Sequence, residues 1–600
     1  MMEHPTPTVA LILIGSLLAG CAVAGDIDGA DKAIVPGRLK AVPTLLCVGL
    51  HWEVQGDLNG NAVATVAFRE AGAVQWKKAM SLLRVVPQKV DVENDTCGGI
   101  KVIFLRGLKA WPKRMRQILI DRNTKNYLAG SVFNLKPATK YELKVALEDP
   151  DGGGTTKTIR ATTRRVPAIP KGGNRIRVRG GGDALAKAVA NAKPGDIFVV
   201  EAGTYSGIAL SASGTADAPI CITPAGDGEV LLHGPTPEQE RRPGKGTGVT
   251  VNGSYIHING LRIKSFGIGV RIGRRKDVSN VSVTRCHITG AYTCLRANGS
   301  DGYFADNILV GTFRSGTEGH GVHLEKGTGS VVCYNRISKV ADGTRLYRET
   351  SDSDFYGNDV LLSGDDALET DYSGPNARIW GNRLSYTGAN GVSFQPYIGG
   401  PAYLIRNLVI NADENTIKDR YNSAGLIMIN NTMVAKGKNA IIQRTYARNN
   451  LFITLDEQRG RAMRYHMEDF LRQPNTLDAD YNGYNGTLEG KKWHIHKRPD
   501  HNRRPLAEFR KATGLEKHGV LLTAKACFAA PLPTKLPRNK RDVAFKGTHP
   551  DLRLKAGSPA IDRGIVIPNI VENCNGKAPD LGALEHGAPL PHWGPRDEAE

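Results

Sequence analysis

This 600-residue chain has no cysteine pair of the C-x-x-C kind, few aromatic residues and few long apolar runs. Its nine cysteines form no C-x-x-C pair, which argues against a structural zinc site, and we expect most of them to be buried thiols. Aromatic residues make up 6% of the chain whereas glycine occurs 69 times, a balance that favours a turn-rich β architecture over a helical one. Beyond the N-terminal segment, no stretch is long and apolar enough to span a membrane.

Positive charge is in excess over negative charge. The chain has 79 Lys and Arg residues against 59 Asp and Glu residues, a formal net charge of +20. Such an excess favours a polyanionic partner. No nucleic-acid-binding signature accompanies it, so we expect no nucleic acid among the partners. An acidic polysaccharide is the expected partner, on the grounds of fold given below, and the protein is expected to be a monomer.

The N-terminus has the features of an export segment. Residues 9–20 are continuously apolar, a length that suits a signal sequence and is too short for a spanning helix. Leu18-Ala19-Gly20-Cys21 resembles the bacterial lipobox, in which the cysteine is lipidated. We predict a signal peptide over residues 1–24, lipidation of Cys21 and export to the periplasm, the outer membrane or the cell surface. Cleavage after Ala22-Val23-Ala24 would instead give a soluble secreted protein, so the lipid anchor is the only membrane contact expected.

A short pattern recurs between residues 307 and 450: asparagine, any residue, then an aliphatic or aromatic residue. Its asparagines are separated by 28, 23, 24, 25, 24 and 19 residues: Asn307, Asn335, Asn358, Asn382, Asn407, Asn431 and Asn450. Self-similarity at such a period marks a solenoid, and the short β-prone runs between Gly, Asn and Asp favour a right-handed parallel β-helix. We expect each asparagine to take left-handed backbone geometry at a bend and its side chain to join a hydrogen-bonded ladder.

The repeat also predicts which side chains share a face of the coil, because strand side chains alternate. The inward phase contains Val322, Leu368, Val392 and Ile417. The opposite phase is expected on an exposed face, in two adjacent columns: His323, Glu369, Ser393 and Lys418, then Glu325, Asp371, Gln395 and Arg420. A coil near residues 342–348, which carries Arg345, intervenes in a register that the sequence does not define.

Residues 38–165 differ from the rest, since they contain few of the asparagine repeats. The run Leu135-Lys136-Pro137-Ala138-Thr139-Lys140-Tyr141 resembles the L-x-P-x-T-x-Y signature of fibronectin type III domains. The resemblance implies a β-sandwich over residues 38–165, without a catalytic role. Residues 166–174, with two prolines and two glycines, are the expected linker.

From Arg175 onward the chain resembles exported, pectate-lyase-like β-helix proteins of bacteria. A short amphipathic helix over residues 183–192 precedes a Pro-Gly-Asp to Gly-Thr-Tyr run over residues 194–205, which looks like their first coil. Residues 557–562 and 580–585 resemble their closing motif. The resemblance implies an all-β protein in which a right-handed parallel β-helix over residues 174–590 follows the sandwich. It specifies the fold more than the activity.

The lyases of this fold break a bond beside a uronic acid by β-elimination. Ca²⁺ or Arg neutralises the uronate carboxylate, and Lys or Arg takes the C5 proton. The resemblance implies the following catalytic residues: Glu369, Asp371, Lys418 and Arg420. It implies these residues for substrate binding: His323, Arg345, Arg378 and Gln395. The expected cofactor is Ca²⁺, held by the acidic side chains of Asp365, Asp366, Glu369 and Asp371.

Two other functions stay open at this point. Hydrolysis needs two carboxyls about 5–9 Å apart, and the acidic residues of this region supply them without a metal. A glycan-binding solenoid without catalytic activity is the third function. In the lyases a lysine closely follows the acidic pair. This sequence departs from that pattern, because the only basic residue in the segment Tyr372–Arg378 is Arg378. The basic partners and the positive net charge favour elimination slightly.

Overall fold

The structure of the 600-residue chain is a computed structural model. It describes residues 32–597 except for 86–89, 92–95, 98–99, 102–124, 236–244, 274–277, 313–318, 349, 396, 398, 412–413, 420–424, 437, 443, 456–460, 467–476, 492–501, 534–544 and 546. The predicted signal peptide, Cys21 and Arg420 lie outside the described residues. Within the described part of the chain, no helix is both long and apolar enough to cross a membrane.

The N-terminal part forms a seven-stranded antiparallel sheet. In spatial order its strands are Ile34–Pro43, Val48–Gly56, Tyr127–Val132, Lys77–Val85, Val63–Glu70, Lys140–Glu148 and Thr155–Thr162. Burial alternates along the strands Val63–Glu70 and Thr155–Thr162, whereas Tyr127–Val132 is buried throughout, and Trp52 and Leu143 are fully buried in the core of the sheet. Three short strands, Val90–Asp91, Thr96–Cys97 and Ile100–Lys101, form a separate small sheet.

The rest of the chain is a parallel β-solenoid with three 13-stranded sheets, and its coils contribute one strand to each, except that the last strand of the third sheet, Asn502–Arg504, pairs antiparallel. The first sheet contains Asn174–Val178, Asp196–Val200, Ile220–Pro224, Ile256–Asn259, Val281–Thr284, Tyr303–Ala305, Val331–Cys333, Asp354–Tyr356, Ala377–Trp380, Ala402–Ile405, Leu426–Ile429, Thr445–Arg448 and Asp478–Asp480. The second contains Gly203–Tyr205, Val230–His233, Arg262–Lys264, His287–Ala291, Ile308–Gly311, Arg336–Val340, Asp359–Ser363, Arg383–Thr387, Leu408–Asn411, Thr432–Ala435, Leu451–Thr454, Gly483–Tyr484 and Val520–Leu521. The third contains Ile208–Leu210, Thr247–Val251, Ile268–Ile272, Thr293–Ala297, His320–Glu325, Asp342–Tyr347, Leu368–Glu369, Asn390–Phe394, Asn415–Asp419, Lys438–Ile442, Arg461–His466, Thr487–Lys491 and Asn502–Arg504. A further pair, Val278–Ser279 and Gly299–Ser300, lies beside the coils.

The inward side chains of the three sheets form one continuous apolar core along the solenoid. The predicted all-β protein with a right-handed parallel β-helix is therefore confirmed. Six cysteines are buried free thiols, as expected: Cys47, Cys221, Cys286, Cys294, Cys333 and Cys527.

The predicted asparagine ladder runs inside the coils. Asn382 shows the unit: its Nδ2 donates to Asn407 Oδ1 at 3.0 Å, while its Oδ1 accepts from the backbone N–H and the Nδ2 of Asn358, both at 3.0 Å. The same pairing continues to Asn482, whose Nδ2 donates to the buried carboxyl of Glu516 at 2.8 Å. The repeating asparagine thus satisfies backbone groups that the bend leaves without partners.

The predicted backbone geometry of these asparagines is wrong by one residue. The left-handed residue is the one before each ladder asparagine, as at Asp306 (φ 60°), Tyr334 (φ 54°) and Arg406 (φ 52°). The asparagine itself is placed by its side-chain hydrogen bonds, so its occurrence reflects the amide group and not tolerance of positive φ.

Short helices cover the core at both ends of the solenoid. At the start, the helix Ala184–Val189 buries Leu185 and Val189 against the first coil, within the predicted range of 183–192. At the far end, the helix Leu506–Thr513 buries Leu506 and Phe509, and the helix Ala524–Cys527 follows it. Covering the open ends keeps unpaired strand edges away from other chains.

The antiparallel sheet packs directly on the solenoid, and Arg378 lies at the centre of this contact. Its guanidinium is fully buried, pairs with Asp354 at 2.5 Å and donates to Ser131 Oγ at 3.1 Å. His51 also reaches across, to Asp352 at 2.8 Å. The prediction that Arg378 binds substrate is therefore wrong: it belongs to the first sheet, and the neighbouring antiparallel sheet covers it completely.

Candidate active site

The third sheet carries the predicted column of polar side chains. Its register pairs His323 with Arg345, Arg345 with Glu369, Glu369 with Ser393, and Ser393 with Lys418. The alternate phase points into the core and is fully buried: Val322, Leu368, Val392 and Ile417. The predicted register is confirmed, and the coil whose register the sequence does not define lies between His323 and Glu369.

The face formed by this column, called the cleft below, is largely buried and is not the exposed surface expected from the sequence. His323 is 5% exposed, Glu369 is 9% exposed, and the side chain of Lys418 is 13% exposed. Neighbouring coils are separated by about 4.8 Å, so long side chains of opposite charge pair along the column and cover one another. In this part of the solenoid, side chains that point away from the apolar core are therefore still buried by their neighbours.

The second predicted column consists of Glu325, Asp371, Gln395 and Arg420, and its described members do not form a regular column, since Asp371 lies beyond the end of its strand. The strand ends at Glu369, so Asp371 leaves the regular register and accepts a hydrogen bond of 3.2 Å from Ser393 Oγ. Gln395 follows the strand Asn390–Phe394 and is half-buried. The chain turns after residue 369, and the alternation of residues in the sequence does not indicate this turn. The predicted column therefore differs from the structure.

Four carboxyl groups meet in the cleft: Asp342, Asp366, Glu369 and Asp371. The backbone N–H of Asp366 donates to Asp342 Oδ1 at 3.2 Å, and the carboxyls of Glu369 and Asp371 share a hydrogen bond. Asp366 Oδ1 accepts from the backbone N–H and from Nδ2 of Asn390, at 2.9 and 2.8 Å. Acidic groups placed so closely do not all ionise together at neutral pH.

Burial is the main influence on the protonation of these acids. It raises the pKa of Glu369 to about 8, with the charge of Asp342 as the next cause and Arg345 opposing both. Burial and then the charge of Glu369 raise the pKa of Asp371 well above its ordinary value. Burial and the charge of Asp366 do the same for Asp342. Glu369 is therefore mostly protonated at pH 7 and can donate a proton.

Two cations face the carboxyls from neighbouring positions of the column. Arg345 Nη2 lies 3.2 Å from Glu369 Oε1, and Lys418 Nζ lies 3.6 Å from Asp366 Oδ2. The positive charge of Lys418 also acts on Asp371. The centre of the cleft thus combines proton-holding acids with two cations that suit an anionic ligand.

A second set of cations lines the cleft around Glu325. Arg296 and Arg348 donate to its carboxylate at 2.7 and 2.9 Å. The guanidinium groups of Arg345 and Arg348 pack on the ring of Tyr347, 4.0 and 4.8 Å from its centre. In the described part of the chain, the buried Nε atoms of these three arginines have no hydrogen-bond partner. Such donors are the groups that a polar ligand satisfies.

His323 contributes a neutral ring to the same cleft. Burial lowers its pKa far below the ordinary range, and the charges of His320 and of nearby arginines add to the effect. The rings of His320 and His323 are 4.7 Å apart, and His320 Nε2 lies 3.4 Å from Asp342 Oδ2. The predicted site residues that the structure brings together are therefore His323, Arg345, Asp366, Glu369, Asp371 and Lys418.

Three residues of the cleft are not predicted from the sequence: Arg296, Asp342 and Tyr347. Asp342 and Tyr347 belong to the coil whose inward position is occupied by Thr344, a polar residue that hides the alternation. The distance from the preceding ladder asparagine indicates the inward position of this coil. Thr344 lies nine residues after Asn335, and the inward Leu368 lies ten residues after Asn358.

The predicted calcium ligands are Asp365, Asp366, Glu369 and Asp371, and their arrangement does not fit the ion. Lys418 and Arg345 stand where a cation would have to approach Asp366 and Glu369. Glu369 and Asp371 hydrogen-bond to each other, which keeps a proton between groups that Ca²⁺ would need ionised. Nowhere among the described residues are three or more His, Cys, Asp or Glu side chains placed to hold a metal ion.

Comparisons with known proteins concern the fold only. No protein-family model matches the chain. No curated protein matches it either. A PL6-family alginate lyase structure is similar at 13% identity and a TM-score of 0.33, over 58% of this chain and 57% of the lyase. A point mutant of that lyase gives 14% identity and a TM-score of 0.30, over 57% of each chain. A family 28 exopolygalacturonase from Yersinia enterocolitica gives 10% identity and a TM-score of 0.24, over 72% of this chain and 95% of that one.

The chain thus matches little more than half the length of the alginate lyase structures. With identities below 15% and TM-scores below 0.35, the likeness carries no argument about activity.

Proposed function

We propose that the protein cleaves glycosidic bonds in an acidic polysaccharide, with Glu369 as the proton donor to the leaving oxygen. The observation that carries this proposal is the position of Glu369, a buried carboxyl whose Oε1 lies 3.2 Å from Arg345 Nη2. Burial in this place raises the pKa of Glu369 to about 8. A carboxyl that keeps its proton at neutral pH is what general-acid catalysis of this cleavage requires.

Hydrolysis is the reaction that the surrounding groups support best. It needs a second carboxyl that takes a proton from the attacking water. Asp366 suits this role, because Asn390 and Lys418 hold its carboxylate in place beside Glu369. Glu369 gives its proton to the glycosidic oxygen as that bond breaks, Asp366 takes a proton from water, and the hydroxyl adds to the anomeric carbon.

The cations support an acidic substrate. Arg345 and Lys418 lie beside the acids that act on the bond, and Arg296 and Arg348 extend the positive lining along the solenoid axis. A polysaccharide that follows the axis would present successive sugar carboxylates to these groups. His323 would contact sugar hydroxyls without adding charge.

Elimination is the second candidate, because Arg345 lies beside the proton donor and can neutralise a uronate carboxylate. Lys418 would take the C5 proton and Glu369 would protonate the leaving oxygen. Lys418 Nζ lies 3.6 Å from Asp366 Oδ2, and Lys418 also interacts with the carboxyl of Asp371. These negative charges favour the charged form of the lysine, whereas a base must be neutral. This difference places elimination second.

One experiment separates the candidates. The protein is incubated with alginate, pectate, chondroitin and ulvan, and both reducing ends and the ultraviolet absorbance of unsaturated uronate are followed. Hydrolysis gives reducing ends without absorbance, whereas elimination gives both. Binding without either product means a glycan-binding protein, the remaining alternative. Glu369→Gln should abolish the product signal, whereas Glu229→Gln, on an exposed part of another sheet, should not change it.

We also propose that the protein is an exported lipoprotein and that its antiparallel sheet is a fibronectin type III-like module. The lipobox-like run at Cys21 supports the first proposal, and the strand order of the seven-stranded sheet supports the second. Mass spectrometry of the mature protein tests lipidation. A mature chain that begins after Ala24 without a lipid would overturn the lipoprotein proposal and leave secretion.

A further inference from the structure

A cavity of about 850 Å³ lies away from the cleft, where strands of the first sheet end. Its walls come from the end of the antiparallel strand Tyr127–Val132, from two turns of the solenoid and from the C-terminal segment over residues 553–591. None of the cleft residues named above lines this cavity. Its volume is in the range of small-molecule sites.

The walls of the cavity are mainly apolar. Phe133, Ile405, Leu554 and Leu584 are all buried and face the same space. Their elements come from three separate parts of the chain, so the cavity is assembled only in the complete fold. An apolar ring or chain would fit these walls.

Arg406 is the polar feature that points to a ligand. Its guanidinium lines the cavity, yet within the described part of the chain it makes no hydrogen bond or salt bridge. Glu585 and Asp580 act on it only at longer range, because their carboxyls accept hydrogen bonds from backbone N–H groups. Burial lowers the pKa of Arg406, and the residue is half-buried, so a ligand that enters the cavity can reach its guanidinium.

Trp380 supplies a second donor in the same cavity. Its indole Nε1 is buried and has no hydrogen-bond partner among the described residues. The ring stacks on Tyr356 with 4.2 Å between the centres, which fixes the direction of the N–H group. Lys555 and Arg553 also line the cavity; Arg553 is paired with Asp551 at 2.6 Å, and Glu585 is the carboxyl among the lining residues.

We propose that this cavity binds a small molecule with an apolar ring or chain and one terminal anionic group. The apolar part lies against the buried wall, and the anion pairs with Arg406 and the Trp380 N–H. This site is separate from the polysaccharide cleft, and the proposal does not depend on the proposed function.

The test uses the full chain and the fluorescent probe anilinonaphthalene sulfonate, which has an apolar ring system and one anion. Binding should enhance the fluorescence, and decanoate should displace the probe whereas 1-decanol at the same concentration should not. Arg406→Gln should weaken binding by about tenfold or more, the size expected for the loss of a charged hydrogen bond. Arg179→Gln, at the exposed start of the solenoid, is the matched control and should leave binding unchanged.

A second variant tests the cavity itself. Ala588→Phe places a ring in the cavity from a half-buried position and should abolish probe binding. Thermal unfolding checks that each variant is folded. Equal binding by wild type, Arg406→Gln and Ala588→Phe would overturn the proposal, as would equal displacement by decanoate and decanol. Loss of polysaccharide cleavage in Glu369→Gln with probe binding intact would separate the two sites.

Discussion

At the scale of single residues, Glu369 shows how position determines chemistry. Its neighbours in the column are Arg345 and Ser393, one coil before and one coil after it. Burial and the charge of Asp342 favour its protonated form more than Arg345 opposes it. An ordinary glutamate in a strand thus becomes an acid that holds its proton at neutral pH.

The first prediction concerns the pH dependence of cleavage. Because Glu369 acts as an acid, activity should fall as pH rises through about 8, the pKa of this carboxyl. Glu369→Gln should lose at least about a hundredfold in kcat, the lower bound for general-acid catalysis. The measurement is kcat against pH on the best substrate of the panel. A profile without an alkaline limb near this pH would remove Glu369 from the role of acid.

The second prediction concerns stability at the same residue. The folded-state pKa of Glu369 lies above its ordinary value of 4.5, so its contribution to stability is complete below pH 4.5 and is lost as pH rises through about 8. Glu369→Gln lacks this titration. Relative to wild type, the variant should be more stable at pH 9 than at pH 5.5, by a difference on the order of a few kcal/mol. Urea unfolding at both pH values measures it, and a difference independent of pH would contradict the prediction.

At the scale of the elements, the asparagine ladder determines how coils stack. Each interior amide joins the neighbouring asparagines and also donates to the backbone, as Asn382 does to Phe355 O at 2.9 Å. The ladder ends on Glu516, whose pKa is raised by burial and whose carboxyl accepts from Asn482 and Tyr484. These bonds are buried, so each missing partner leaves a polar group without water.

The third prediction concerns this ladder. Asn382→Ala removes the acceptor of Asn358 and the donor to Asn407, which should lower the free energy of unfolding by about 2 kcal/mol or more. Asn191→Ala, at an exposed turn beside the N-terminal helix, is the matched control and should change stability little. Denaturant unfolding compares the two. Equal small effects would mean that the ladder adds nothing beyond ordinary backbone pairing.

At the scale of the whole molecule, the antiparallel sheet and the solenoid share buried polar contacts. Arg378 and Asp354 form a fully buried ion pair at their junction, and Tyr127 OH donates to Gly399 O across it at 2.6 Å. The C-terminal segment links both parts, since Asn569 Oδ1 accepts from the backbone N–H of Phe133 at 2.7 Å and Arg596 pairs with Asp306 of the solenoid at 2.7 Å. We therefore expect the two parts to unfold together.

The fourth prediction uses this junction. Arg378→Met leaves Asp354 buried without its cation and should lower the free energy of unfolding by about 3–5 kcal/mol. The double variant Arg378→Met/Asp354→Leu should recover much of the loss. Cleavage by the folded fraction of each variant should match wild type, because Arg378 does not reach the cleft. A raised KM with unchanged stability would instead restore Arg378 as a substrate-binding residue.

Periodicity alone determined the solenoid, its inward residues and the polar column, because the same local geometry recurs in every coil. The period places Leu368, Val392 and Ile417 in one phase without knowledge of any distant contact. The amide ladder follows from the same spacing. Each of these features depends on residues within one or two coils.

The tertiary structure decided what the polar residues do. It buried the column, turned Asp371 out of register, placed the antiparallel sheet over Arg378 and set cations against the predicted calcium ligands. Burial and charge pairing depend on contacts between side chains of different coils and of the antiparallel sheet. A local repeat in the sequence does not indicate which side chains make these contacts. The pKa of Glu369 is the clearest case, since its causes are burial and neighbours in adjacent coils, which exist only in the folded chain.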